Sequence, residues 1–198
     1  MSKYNMTNKF NINPETGLVN PARLCMSPNR DARPDNTTVE LVLLHGISLP
    51  PGQFGGPEIE SLFLNKLDWN SHPYFNQIYD LKVSAHLLIR RDGELIQFVP
   101  FNQRAWHAGI SYFRGRSRCN DFSIGIELEG EDNTNYEECQ YNVLSNVLIA
   151  IMKAYPKISM RECVGHSDVA LGRKSDPGPA FDWLRLYCKI EQLSENKI

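Results

Sequence analysis

The chain of 198 residues is long enough for one domain of ordinary size and too short for two large ones. Hydrophobic residues make up 41% and charged residues 22%, a composition that excludes a disordered chain. The formal net charge of −2 provides no basic excess, so binding to nucleic acid is not expected.

The sequence contains no run of about 18 apolar residues, which excludes a transmembrane helix. The polar N-terminus lacks the apolar core of a secretory signal, so we expect a cytoplasmic protein with no membrane partner. The five cysteines are odd in number, and none forms a CxxC pair. They therefore suit reduced thiols better than disulfides or a cysteine zinc site.

The first third of the chain predicts one strand and one helix. Residues 1–36 are rich in Asn, Pro, Arg and Asp, which indicates an irregular lead-in. The nearly continuous apolar run at 39–44 predicts a buried central strand that ends at His45. A loop rich in Gly and Pro follows, and Pro57 is placed to begin a short helix.

The middle of the chain predicts three strands. Residues 83–90 and 94–99 are expected to form a hairpin around a Gly-containing turn. Residues 101–121 have little periodicity and predict a long loop. Residues 122–129 alternate, which predicts a strand with an apolar face and an opposite face that carries Glu127.

The last third changes to helical periodicity. Spacing of three to four residues predicts a helix over 137–155, which Pro156 ends. A short strand at 163–166, a loop at 167–180 and a closing helix at 181–187 follow. These elements predict one α/β domain in which helices flank a mixed central β-sheet.

Two histidines and an aspartate are candidate zinc ligands. His45 lies at a predicted strand end, whereas His166 and Asp176 lie in a segment with many helix breakers that can bring both side chains to one point. Two imidazoles and a carboxylate form a three-ligand zinc set that leaves a fourth position for water. The spacing is not diagnostic: His45 could simply cap a strand by hydrogen bonding, and any globular protein has a few His and Asp residues.

Several other residues allow either a catalytic or binding role or a purely structural one. Glu127 could be a general base beside a metal, or part of a solvated strand face. Lys174 could stabilise an oxyanion, or be a surface lysine. Trp106 and His107 could line a substrate groove, or simply pack. The sequence has no serine nucleophile elbow, phosphate loop or dinucleotide fingerprint, and a cysteine hydrolase is a weak alternative.

Several long segments together resemble a known family from about residue 27 to 183. They occur in the expected order, which is more specific than any histidine spacing: SPNRDARPD, LVLLHGISLPPGQFGGP, HPYF, SAHLLIRRDGELIQFVPFNQRAWHAGIS, RCNDFSIGIELEG and GHSDVALGRKSDPGPAFDW. The chain resembles the zinc-dependent N-acetylmuramoyl-L-alanine amidases of the amidase-2, or peptidoglycan-recognition-like, type. Within that family it is most similar to the cytosolic enzymes that act on 1,6-anhydro-muropeptides.

The resemblance implies a role for each candidate residue. The zinc ligands would be His45 in LLHGISLP, His166 in GHSDVA and Asp176 in KSDPGP. Glu127 in GIELEG would be the general base, and Lys174 in GRKSDPGP would stabilise the transition state.

One departure from the family is visible, and the substrate contacts are less defined. Family members often carry Asn after the first zinc histidine, whereas this chain has Gly46, which puts one substrate contact in doubt. The loops expected to form the substrate walls offer four candidate binding residues: Tyr74, Trp106, His107 and Arg118.

The resemblance also implies the reaction. With Zn²⁺ as cofactor, the enzyme would hydrolyse the amide between 1,6-anhydro-N-acetylmuramic acid and L-alanine in cytosolic muropeptides. It would thereby recycle peptidoglycan and indirectly limit β-lactamase induction, acting as a monomer. The expected division is an irregular lead-in over 1–26, the zinc amidase domain over 27–188 and a tail over 189–198. The alternatives are an amidase of the polymeric wall and a non-catalytic recognition module.

Overall fold

The computed structural model describes residues 10–195. Within this range the strands are β1 Asn11–Ile12, β2 Val19–Asn20, β3 Arg23–Leu24, β4 Arg30–Ala32, β5 Leu41–Ile47, β6 Leu87–Ile89, β7 Leu95–Gln97, β8 Gln103–Ala105, β9 Tyr112–Phe113, β10 Arg116–Ser117, β11 Ser123–Glu129 and β12 Cys163–Gly165. The helices are α1 Glu58–Phe63, α2 Glu138–Ala154, α3 His166–Val169 and α4 Trp183–Glu195, with 3₁₀ turns at Pro73–Ile78, Cys119–Asp121 and Met160–Glu162.

A six-stranded sheet in the order β12-β5-β11-β6-β7-β3 forms the centre of the fold. Strand β11 pairs in parallel with both β5 and β6, and β12 extends the parallel part beside β5. Strand β7 is antiparallel to β6, and β3 adds a parallel edge. The sheet is therefore mixed and flanked by helices, as the sequence predicted.

One face of the sheet packs against the two long helices. Ile124, Ile126 and Leu128 of β11 share a core cluster with α2 side chains such as Leu144 and Val147. Each of these side chains contributes about 1.5–3 kcal/mol by leaving water, so the apolar periodicity of α2 fixes the helix on this face. At the start of α2, the backbone N–H of residue 137 donates to the side chain of residue 140.

The opposite face of the sheet is also buried. Every residue of β11 is buried on both faces, including the polar side chains that the alternation assigned to a possible solvated face. Short helix α1 and the 3₁₀ turn at Pro73–Ile78 contribute Ile59, Leu62, Phe63 and Phe75 to a second cluster on the sheet. The solvated interpretation of the Glu127 face was therefore wrong, because loops and short elements cover it.

The ends of the domain and the central loop differ from the sequence-based expectation. The lead-in supplies β3 at the sheet edge and the buried Val19, whose N–H donates to the buried Gln97 side chain. Helix α4 continues to Glu195 with Ile190 in the core, so the closing helix extends beyond the predicted 181–187. Periodicity is a weak signal for strands of two or three residues, which is why β1–β4 and β8–β10 were missed. Residues 1–9 and 196–198 of the expected lead-in and tail lie outside the described residues.

The described helices include no segment of the length and apolarity needed to cross a membrane.

Candidate metal centre

Two parallel strands present the central side chains of the site. His45 on β5 and Glu127 on β11 are direct partners in the register of the pair. Paired residues of neighbouring strands point to the same face of a sheet, so both side chains lie on the face away from α2. His166 enters from the first position of α3, directly after β12, and Asp176 enters from the loop that follows α3.

The three candidate ligands converge, although they are far apart in sequence. The Nδ1 atoms of His45 and His166 lie 3.0 Å apart, and Oδ2 of Asp176 lies 3.1 Å from each of them. His45 and His166 are 121 residues apart along the chain. These donor atoms form a nearly equilateral triangle, in which both histidines are buried and the aspartate is half-buried.

The chemistry of this donor set fits a zinc ion. Burial lowers the pKa of His45, which favours the neutral imidazole and its lone pair. Burial alone would raise the pKa of Asp176, but its contacts with the imidazoles of His166 and His45 outweigh burial and hold that pKa below its usual range. A tetrahedral zinc with bonds of about 2.0–2.1 Å needs donor atoms about 3.3 Å apart, close to the observed triangle. A cation would also relieve the repulsion between three converging lone pairs.

Glu127 lies beside this triangle with an unused carboxylate oxygen. Its Oε2 atom is buried and finds no hydrogen-bond partner among residues 10–195. Burial raises the pKa of Glu127 well above its ordinary value, and the charge of Asp176 raises it further, while Lys174 opposes the shift. A buried carboxylate with a raised pKa is a stronger proton acceptor than an exposed one.

A cleft of about 540 Å³ opens onto the triangle and Glu127. Its apolar lining belongs to the cluster around α1 and includes Leu49, Leu62, Phe63, Tyr74, Ile78 and Val83. Charged side chains on the lining include Glu131, Asp132 and Lys174. This size is typical of a site for a small molecule, whose polar groups a few placed side chains would orient.

The four expected substrate contacts are not all at this cleft. Tyr74, Trp106 and His107 are among the lining residues, whereas Arg118 is not. Arg118 has a left-handed backbone with φ of 62° at the start of a 3₁₀ turn, and its Nε atom lies 3.3 Å from Asp121. Its exposed side chain is therefore engaged in a local ion pair.

Gly46 has a packing partner that the sequence did not reveal. A Cβ atom at this position would lie 2.4 Å from Oη of Tyr136. That hydroxyl donates to the carbonyl oxygen of Pro177 at 2.9 Å, and Pro177 directly follows the candidate ligand Asp176. The glycine therefore leaves the space through which Tyr136 reaches the loop that carries a candidate ligand.

Two further residues near the triangle were missed in the sequence. Asn120 accepts hydrogen bonds from the backbone N–H groups of His107 and Ala108, at 3.1 and 2.8 Å. The hydroxyl of Ser123 lies 3.3 Å from Nε2 of His107. Strand alternation could have found Ser123, because it shares the face of Glu127, but no sequence pattern distinguishes Asn120 from other loop residues.

Known proteins share this fold. A family model described as N-acetylmuramoyl-L-alanine amidase matches residues 35–179, which is most of the chain. The chain belongs to this amidase family. The resemblance inferred from the sequence motifs is thereby confirmed, and with it the assignment of the chain as an amide-hydrolysing enzyme.

Individual amidases are similar over most of their length. The 1,6-anhydro-N-acetylmuramyl-L-alanine amidase AmpD of Escherichia coli is 55% identical over 171 residues, which cover 86% of this chain and 93% of the relative. The crystal structure of a selenomethionine AmpD derivative matches with a TM-score of 0.86 and 52% identity, covering 88% of this chain and 97% of the other. A complex of the amidase AmiD from E. coli with the substrate anhydro-N-acetylmuramic acid-L-Ala-D-γ-Glu-L-Lys matches with a TM-score of 0.55 and 29% identity, covering 79% and 60%.

Proposed function

We propose that this amidase is zinc-dependent and hydrolyses the amide between 1,6-anhydro-N-acetylmuramic acid and L-alanine in soluble muropeptides. The observation that carries the proposal is the triangle of His45, His166 and Asp176 at a cleft of small-molecule size. The similarity to AmpD enzymes over nearly their full length supports the choice of substrate.

His45, His166 and Asp176 would hold the zinc ion. Zinc, when bound, supplies a Lewis acid for the amide carbonyl and makes water a stronger acid. The protein itself lowers the pKa of His45 by burial, which favours its neutral imidazole, and the contacts with the two imidazoles hold the pKa of Asp176 low enough to keep it ionised.

Glu127 would act as the general base and then as the general acid. Its free, buried Oε2 accepts a proton from the attacking water as the new C–O bond forms. The same carboxyl returns the proton to the alanine nitrogen as the C–N bond breaks, so the products are the lactyl carboxylic acid and a free amine. The raised pKa of Glu127 suits both transfers.

Lys174 would stabilise the negative charge that develops on the carbonyl oxygen. It lines the cleft two residues before Asp176, and its charge already acts on the Glu127 carboxylate. An ammonium at this position opposes the build-up of oxyanion charge. Tyr74 and Trp106 on the cleft lining would provide apolar surface for the substrate.

This activity would place the enzyme in the cytoplasm, where it would act as a monomer on anhydro-muropeptides released from the wall. It would recycle peptidoglycan fragments and, by consuming them, indirectly limit β-lactamase induction. An enzyme that acts on released, soluble fragments should have little activity on the polymeric wall.

The decisive assay compares two substrates by mass spectrometry. Purified enzyme is incubated with anhydro-muramyl tripeptide and with cross-linked sacculi, each with and without chelator and then with zinc added back. We expect release of free tripeptide from the small substrate alone, lost with chelator and restored by zinc. Comparable cleavage of sacculi would instead identify a wall amidase, and binding without cleavage would identify a recognition module.

The role of Glu127 needs a separate control. We expect Glu127→Ala to abolish turnover while zinc binding persists, with Glu127→Gln as an isosteric control that also lacks the base. Loss of zinc together with activity would make Glu127 a ligand or a structural residue and would contradict its role as a base.

A further inference from the structure

The segment His107–Ala108 contacts both histidines of the triangle on the ring nitrogens that point away from Asp176. Nδ1 of His107 lies 3.0 Å from Nε2 of His45, and the carbonyl oxygen of Ala108 lies 3.1 Å from Nε2 of His166. In each histidine the contacted nitrogen is the one that does not face Asp176. Residues 107–108 therefore reach the outer edge of both rings.

The hydrogen-bond partners determine where the protons lie. A carbonyl oxygen only accepts, so the 3.1 Å contact with Ala108 puts a proton on Nε2 of His166 and leaves the lone pair on Nδ1. If His45 is to offer Nδ1 to a metal, its Nε2 must donate to His107. His107 then carries its own proton on Nε2, which faces the hydroxyl of Ser123.

Both ring nitrogens of His107 are thus occupied, and its ring is closely held. A Cβ atom at position 125 would lie 2.5 Å from the His107 ring, so Gly125 leaves the space in which the ring lies against β11. Asn120 fixes the backbone by accepting from the N–H groups of residues 107 and 108. Arg173 donates to the same Ala108 carbonyl at 2.7 Å.

We propose that the segment His107–Ala108, held by Asn120, fixes the tautomer and orientation of both zinc histidines. His107 is then a positioning residue that acts through His45, and not a substrate contact as the sequence indicated. This inference rests on the proposed zinc-dependent function. Partners of this kind hold a ligand ring in its binding orientation, and their loss typically weakens metal affinity about 10–100-fold.

The test measures zinc affinity and catalysis separately. Zinc dissociation constants are determined by competition with a chromophoric chelator for wild type, His107→Ala, His107→Asn and Asn120→Ala. We expect His107→Ala to bind zinc about 10–100-fold more weakly. His107→Asn should recover most of that loss, because its amide oxygen can accept from His45 in place of Nδ1. Asn120→Ala should weaken zinc binding without altering any ring.

Cobalt absorption and KM complete the test. The d–d bands of the Co²⁺-loaded protein should change in His107→Ala, because ligand orientation changes, and should return towards wild type in His107→Asn. Trp106→Phe is the matched control: it changes a neighbouring cleft residue whose backbone N–H donates to Ser84, and it should leave zinc affinity unchanged. Circular dichroism of the metal-free variants establishes that they fold, and if His107→Ala does not fold, His107→Asn and Asn120→Ala are compared with wild type.

The outcomes separate this inference from the proposed function. Unchanged zinc affinity in His107→Ala and Asn120→Ala, with a raised KM in the former, would overturn the positioning role and make His107 a substrate contact. Wild-type protein that binds no zinc would instead refute the proposed zinc-dependent function itself.

Discussion

The contact between Gly46 and Tyr136 gives a prediction that stability measurements can test directly. Gly46 lies in β5 with an ordinary backbone, so alanine is compatible with its φ and ψ angles. The obstacle is the Tyr136 hydroxyl, 2.4 Å from the position of the new Cβ, whereas the next atom, Cα of Pro177, is 3.5 Å away. Removal of that one oxygen should therefore make alanine acceptable at position 46.

The tyrosine cannot simply withdraw from an added methyl group. Its side chain is 3% exposed and packs against Phe181, and a Cβ at position 130 would lie 2.4 Å from the ring, so the ring fills a slot beside Gly130. We expect overlap in Gly46→Ala to cost about 1–3 kcal/mol, less about 0.5–1 kcal/mol that alanine gains over glycine in backbone entropy.

The companion variant has a different cost. Tyr136→Phe leaves the buried carbonyl oxygen of Pro177 without its 2.9 Å hydrogen bond, which should cost about 1–3 kcal/mol. In the double variant the overlap is gone, so only this cost remains, reduced by the backbone gain of alanine. The double variant should therefore lose about 1–3 kcal/mol less unfolding free energy than the sum of the losses in the two single variants.

The assay is urea unfolding of wild type, both single variants and the double variant, all with excess chelator so that zinc binding does not contribute. Equal m-values would show that the free energies of unfolding are comparable. Additivity of the two substitutions within about 0.5 kcal/mol would refute the reasoning, because independent sites add to that precision.

Three further predictions concern charge, thiols and catalysis. Hydrogen bonds from Arg23 and Arg90 outweigh the effect of burial and lower the pKa of Glu60 to about 2. The ionised Glu60 therefore stabilises the folded protein fully above its ordinary pKa near 4.5, and this contribution is lost as the pH falls towards 2. The stability difference between wild type and Glu60→Gln, followed by urea unfolding, should shrink over that range, and a constant difference would contradict this. Burial raises the pKa of Cys163 to about 12, whereas Cys188 is exposed, so a thiol reagent should label Cys188 first in peptide mass spectra of native protein. Lys174→Ala should lower kcat with unchanged zinc affinity and Lys174→Arg should restore part of it, whereas lost zinc would indicate a structural role.

The sequence by itself determined the elements whose periodicity is long enough to be specific. The apolar run before His45, the alternation over 122–129 and the three-to-four spacing over 137–155 correspond to β5, β11 and α2. The spacing of apolar residues is enough to predict these elements, because apolar residues recur many times along the one face that is buried. The motifs around His45, His166 and Asp176 likewise identified the candidate ligands, but only as a resemblance, since their spacing along the chain is not diagnostic.

Only the tertiary structure decided what surrounds those ligands. The 3.0 Å approach of His45 to His166 depends on the pairing of β5 with β12, which brings together residues 121 apart in the sequence. The roles of Asn120 and of Gly46 depend on single contacts with segments far along the chain, to which no periodic pattern corresponds. A contact of one atom with a distant segment leaves no repeating signal in the sequence, so the surroundings of the candidate ligands become visible only once the chain is folded.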